Sequence, residues 1–304
     1  VALVRAADRE DARRRIREVG TRLGGETPDQ IERQVEAVAG SLTAPGLGLT
    51  ETDRRLVLER CDRYLHCAAS TRFDLPIDRA RAINVAGTQR MLELAHERER
   101  LRGFDRFDYV STAFVAGRRT DLVLEDDLDD RAGHRNSYEQ SKYEAERHVR
   151  AAARALPVTV YRPSIVVGRA DQIGFSAAVT HPMRVYARGW WRTAPARPET
   201  SVDLIAVDTA VAALLAVRRA DDSIGRSVHL AAGPELAGRF GDLVKIAEEV
   251  LPGRKPVRLV DPALRAALGD ELRFEVETAG AVGASQLAHL AARGRAGEGD
   301  AAQG

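Results

Sequence analysis

The sequence predicts an α/β protein built on a doubly wound parallel sheet, and three observations predict it. Short apolar runs of strand length alternate with longer charged or amphipathic helical patterns, the order expected of βαβ units. Several of these runs end in small or hydroxyl residues, among them Ala68-Ala69 and Ser111-Thr112. Open α/β sheets place their ligands at such strand C-termini. The third observation is Tyr138-Glu-Gln-Ser-Lys142. Two residues four apart on a helix share one face, so a phenol and an ammonium point into one site.

The elements follow in order. Residues 1–6 read as a strand and 8–24 as a charged helix, whose arginine run at 13–15 is a solvated face. Residues 35–38 form the next strand, followed by a loop to about Leu49 and a helix over 51–59 that Thr50 N-caps. Residues 63–70 are an apolar strand whose small end lets backbone approach a flat ligand. Residues 81–95 form a long helix with Ile83, Met91, Leu92 and Leu94 on its apolar face and Asn84 reaching for a neighbouring loop. A buried strand closes at Tyr109-Val110, with Ser111 and Thr112 at its C-terminal end. An acidic loop over 121–133 leads to the helix of Tyr138 and Lys142, which runs to about Ala155 before Pro157. Residues 157–168 are a strand that breaks at Pro163, since proline cannot donate to a ladder.

From about residue 170 the pattern changes. Residues 175–191 are apolar and aromatic, with Trp190 beside Trp191. Residues 201–215 read as a strand and a helix N-capped near Asp208, and 227–232 as a strand in which His229 is structural. Residues 294–304 read as a disordered tail. There is no internal repeat.

Composition narrows the class. Lys+Arg 46 against Asp+Glu 45 leaves no basic face of the kind nucleic acid requires. No apolar run reaches the ~18 residues of a membrane span, and no signal-peptide pattern is present. Cys61 and Cys67 flank one strand, too far apart to bridge, and Cys67 reads as a buried small hydrophobe. No disulfide framework is implied, which suits a reducing, cytoplasmic setting.

The chemistry centres on Tyr138. A free phenol titrates near ~10, too high to exchange protons at neutral pH. A neighbouring ammonium stabilises the phenolate, so Lys142 would tune Tyr138 as a general acid or base. A hydroxyl of the Ser111-Thr112 pair would hydrogen-bond a substrate carbonyl. Together with residues 1–6, Leu42-Thr-Ala-Pro-Gly-Leu-Gly-Leu-Thr50, His66-Cys-Ala-Ala-Ser70 and Tyr161-Arg-Pro-Ser-Ile165, these stretches resemble the extended short-chain dehydrogenase/reductase superfamily. Within it they look like the fatty-acyl reductase (male sterility) and thioester-reductase branch. The resemblance runs from residue 1 to about residue 235, and Leu-Gly-Leu-Thr at 47–50 is its most branch-specific piece.

The resemblance implies a Rossmann-like NAD(P)-binding domain over 1–169. A smaller substrate-binding part interleaved with returning segments would follow over 170–270, with a tail from 271. It implies NADPH-dependent reduction of an acyl thioester, carried by coenzyme A or a carrier protein, to an aldehyde or alcohol, with a homodimer as the assembly to test. It places the catalytic hydroxyl at Thr112 rather than Ser111, because five residues separate Thr112 from Gly117 as in the superfamily pattern. Tyr138 would donate the proton, and Lys142 would tune it and hold the nicotinamide ribose. Further cofactor contacts fall on Arg5, Ala68, Ala69, Asn84, Pro163, Ser164 and Ile165. Arg5 ends the first strand where an arginine pairs with the 2′-phosphate of NADP.

One departure stands out. The superfamily opens with a strand and a Gly-x-x-Gly-x-x-Gly turn. Here Gly20, Gly24 and Gly25 follow a charged helix, and Gly46 and Gly48 lie in a loop, so neither set makes that turn. The chain begins in what resembles the family's second strand, as an N-terminally truncated product would. Two alternatives stay open: an NAD-dependent sugar-nucleotide epimerase or dehydratase, and a binding protein without a cofactor loop.

Overall fold

The computed structural model describes residues 1–23, 27–168 and 183–261. Gly24 and Gly25, the first part of the aromatic stretch and the tail lie outside the described residues. The chain forms two compact units, one of residues 1–71, 75–162 and 216–229, the other of 72–74, 163–215 and 230–304.

In the first unit, β1 (Ala2–Arg5) pairs in parallel with β2 (Ala37–Gly40), Leu3 opposite Val38. Between them come α1 (Arg9–Leu23) and α2 (Pro28–Gln34). Sequence reasoning missed α2, although its signal is present. The Thr27 side chain accepts from the Gln30 amide and the Gln30 side chain accepts from the Thr27 amide, with Pro28 at the first helical position. The strand after it starts at Ala37, two residues later than expected. The helix α3 (Glu51–Arg60) opens where Thr50 Oγ1 accepts from the Asp53 amide at 3.1 Å.

The remaining elements of this unit are β3 (Arg63–His66), α4 (Ile77–Arg102), β4 (Arg106–Val110), α5 (Ser137–Ala152) and β5 (Val158–Pro163). Strands β3, β4 and β5 pair in parallel, with Arg63 opposite Arg106 and Phe107 opposite Val158. Ser227–Leu230 lies on the other side of β5. Phe107 and Tyr109 are buried with Leu92 and Leu94 of α4, Val149 of α5 and Val160 of β5. Helix α4 outruns its expected end because Arg98 is buried, with its guanidinium donating to the Cys61 and Gly103 carbonyls. The charged last turns are thus tied to the protein instead of fraying.

This parallel sheet is in two pieces. Strand β1 pairs with β2 and strand β3 with β4, and among the described residues no ladder joins β1 to β3. Leu65 of β3 is consequently 41% exposed. Cys67 is exposed as well, which corrects its reading as a buried hydrophobe. It follows an edge strand that no described neighbour covers.

Among its described residues the second unit has three short strand pairs: Ile165–Val167 with Leu204–Ala206, Thr193–Pro195 with Arg258–Val260, and Ser201–Val202 with Gly238–Arg239. Its core gathers Tyr186, Trp191 and Ala194 against Val244 and Ala247 of the helix Phe240–Val250. Trp191 is core, whereas Trp190 is half exposed with the Arg188 guanidinium over its ring. The break expected at Pro163 is where β5 ends and the chain passes into this unit.

Candidate active site at the end of strand β4

Strand β4 delivers Ser111 and Thr112, and α5 delivers Tyr138 and Lys142. Helix α5 starts at this point because Asn136 Oδ1 accepts from the Glu139 amide at 2.9 Å, placing Tyr138 in the first turn. The Tyr138 hydroxyl is hydrogen-bonded to Thr112. Thr112 Oγ1 also accepts from the Phe114 amide at 3.3 Å, so its own proton is free to be donated to Tyr138. Strand end and helix start thus meet at this pair.

Burial raises the Tyr138 phenol above its ordinary value. The Thr112 bond opposes that shift and the Glu139 charge adds to it. Lys142 is almost fully buried, and its Nζ donates to Tyr109 Oη at 2.7 Å and to the Val110 carbonyl at 2.8 Å. Burial pushes the ammonium down to about 7, against the pull of Glu146 and Cys67. Tyr109 was not singled out in the sequence. It lies inside an apolar run, and only the pairing of β4 with its neighbours turns its hydroxyl toward α5.

Ser111 is placed differently from the sequence expectation. Its Oγ donates to Glu146 Oε2 at 2.6 Å, and its amide donates to the Tyr161 carbonyl at 2.7 Å. That hydroxyl is turned to Glu146, whereas the Thr112 hydroxyl faces Tyr138. Asn84 reaches a neighbouring loop. Its Oδ1 accepts from the Ser70 amide at 2.8 Å, and its Nδ2 donates to the Ser70 carbonyl at 3.0 Å and to Ser141 Oγ at 2.9 Å. It holds the turn after β3 to α5. Ala68 is exposed and Ala69 half-buried on that turn. Arg5 is exposed at the end of β1. Pro163, Ser164 and Ile165 belong to the second unit.

A nicotinamide cofactor can be tested against these residues. The hydroxyls of Thr112 and Tyr138 and the ammonium of Lys142 fit its reactive end, and the exposed Arg5 fits a 2′-phosphate. The start of α1 does not fit a pyrophosphate. The Ala7 amide donates to Asp11 and the Asp11 amide to Asp8, while Glu10 adds another negative charge to the first turn.

Thr112, Tyr138 and Lys142 are thus grouped where the C-terminal end of strand β4 meets the start of α5. The family model described as male sterility protein, an NAD-binding domain, matches residues 1–214, and the chain belongs to that family. Fatty acyl-CoA reductase wat of Drosophila melanogaster is 32% identical over 160 residues, 44% of this chain and 30% of that protein. Human fatty acyl-CoA reductase 1 is 28% identical over 221 residues, 62% of this chain and 42% of its own length. The chain therefore spans less than half the length of these curated relatives. Among solved structures, the terminal R domain from the myxalamid PKS-NRPS biosynthetic pathway superposes with a TM-score of 0.73 at 25% identity. That match covers 91% of this chain and 71% of the domain. Among the described residues no helix is long and apolar enough to cross a membrane, and no cluster of metal-ligating side chains occurs.

Proposed function

We propose that this chain carries out NADPH-dependent reduction of an acyl thioester, presented by coenzyme A or a carrier protein, to an aldehyde or alcohol. The observation that carries the reading is the Tyr138 hydroxyl bonded to Thr112 at the end of β4, in a chain whose relatives include fatty acyl-CoA reductases. Those relatives favour a thioester over a sugar nucleotide, and the NAD-binding family favours an enzyme over a cofactor-free binding protein. Free Cys61 and Cys67 suit a cytoplasmic setting.

The cofactor, when bound, would supply a hydride to the carbonyl carbon. Thr112 donates a hydrogen bond to the carbonyl oxygen and steadies the charge that develops there. Tyr138 transfers its proton to that oxygen. Because its pKa is raised, it is a neutral phenol at neutral pH, the form an acid in the reducing direction needs. Addition of hydride and proton gives a hemithioacetal, and breaking its C–S bond releases thiol and aldehyde. Lys142 stands on Tyr109 and Val110 as the positive charge of the site and the donor for ribose hydroxyls.

The test is Tyr138→Phe, which keeps the ring and removes only the hydroxyl. With saturating NADPH and an acyl-CoA, kcat should fall ~100-fold or more with an unchanged melting temperature. Retention of more than about a tenth of kcat would sink the assignment.

A further inference from the structure

Glu146 lies one helical turn beyond Lys142 on α5 and is fully buried, as is Arg162 on β5. Arg162 Nη2 donates to Glu146 Oε1 at 2.7 Å, and its Nε lies 3.2 Å from both carboxylate oxygens. Arg150 Nε donates to the same Oε1 at 3.0 Å. Oε2 is left to receive the Ser111 hydroxyl. The same two arginines tie down the acidic loop ahead of α5. Arg162 donates to the Asp127 carbonyl at 2.7 Å, and Arg150 to the Glu125 and Asp126 carbonyls at 2.8 and 2.9 Å.

A buried carboxylate held by two guanidinium groups is fixed in place, because each bond replaces solvation lost on burial. This one reaches both halves of the site. Through Ser111 it pins the end of β4, where the next residue is Thr112. Along α5 it stands behind Lys142. The other titratable groups acting on Lys142 are Tyr109 from β4 and His66 and Cys67 from β3 and the turn after it. Burial lowers His66 to about 3 and holds Tyr109 neutral, and Glu146 is the carboxylate of this set, one helical turn from Lys142.

We propose that Glu146 is a positioning residue of this site, one buried carboxylate that holds the Ser111-Thr112 strand end against Tyr138 and keeps Lys142 charged. The proposal rests on the reading of Thr112, Tyr138 and Lys142 given above. Its test needs no turnover. The chain has three lysines, Lys142, Lys245 and Lys255, so a lysine-labelled full chain gives a spectrum in which a Lys142→Met control identifies the Lys142 resonance. In Glu146→Gln the Lys142 titration midpoint should move down by about one pH unit. The Cζ resonance of Tyr138, read in tyrosine-labelled protein at neutral pH, should shift as its bond to Thr112 loosens. Glu146→Gln leaves Arg162 buried without its counter-charge and can fail to fold. Glu146→Gln/Arg162→Met removes both charges, and the same two changes are expected there. A Lys142 midpoint or a Tyr138 resonance that stays put in a folded variant overturns the proposal. Turnover is read separately: a wild-type chain that reduces no acyl thioester removes the reductase reading, yet these two resonances still decide the role of Glu146.

Discussion

Lys142 carries its charge into a place that penalises it, and the penalty sets a pH dependence. Its folded value lies near 7, against 10.5 for an unperturbed lysine. Between those values the unfolded chain holds a proton that the folded chain has released, so stability rises with pH across this window and falls as pH drops toward 7. Urea unfolding should show a gain in stability from about pH 7 to about 9.5, and Lys142→Met should flatten it. An equal slope in both proteins would show that the ammonium is not desolvated. Arg5 makes the second prediction at this scale. A guanidinium fork donates two parallel hydrogen bonds to a phosphate, which the ribose hydroxyl of NADH cannot match. Arg5→Ala should weaken NADPH more than NADH by roughly 1.5–3 kcal/mol. Calorimetric titration with both cofactors checks it, and an equal loss for each would show that Arg5 does not read the phosphate.

Turns hold the elements in place, and Gly117 is where one turn has no substitute. It closes the turn that Thr112 caps, with φ 61° and ψ −132°. A side chain there would meet the Gly133 carbonyl, to which the Arg118 amide already donates at 3.0 Å. Gly117→Ala should cost about 3 kcal/mol or more and, on the proposed role of Thr112, lower kcat as well, because the strained turn begins at that residue. Urea unfolding measures the first effect, and a loss below about 1 kcal/mol would mean that the turn relaxes without strain. The loop before α3 behaves differently. Gly46, Leu47 and Gly48 all have positive φ, and Leu47 tolerates it because its side chain is buried in the core. Thr50, Asn136 and the Thr27-Gln30 pair are local caps that a sequence shows on inspection. Leu47 is not, because its conformation is imposed by packing against distant residues.

At the scale of the whole chain, the divided parallel sheet matters most. Among the described residues β3 is the edge strand of its sheet and Leu65 is 41% exposed on it, a template for another strand. Leu65→Lys should lower concentration-dependent light scattering with little change in melting temperature. Unchanged scattering would place self-association elsewhere. Much of this molecule was legible in the sequence. Alternating apolar runs and helical patterns gave β3 to β5 and α3 to α5, since periodicity and caps are local properties. The four-residue spacing put Tyr138 and Lys142 on one helical face, and the strand-ending hydroxyls marked where that face would be met. What only the tertiary structure decided was which partner each polar group takes. Ser111 and Thr112 are adjacent hydroxyls in the sequence, yet Ser111 is bound to Glu146 and Thr112 faces Tyr138. Lys142 stands on Tyr109, and Asn84 closes on Ser70. Hydrogen-bond partners and desolvation arise from residues far apart in the chain, and strand register, which no local pattern encodes, brings them together.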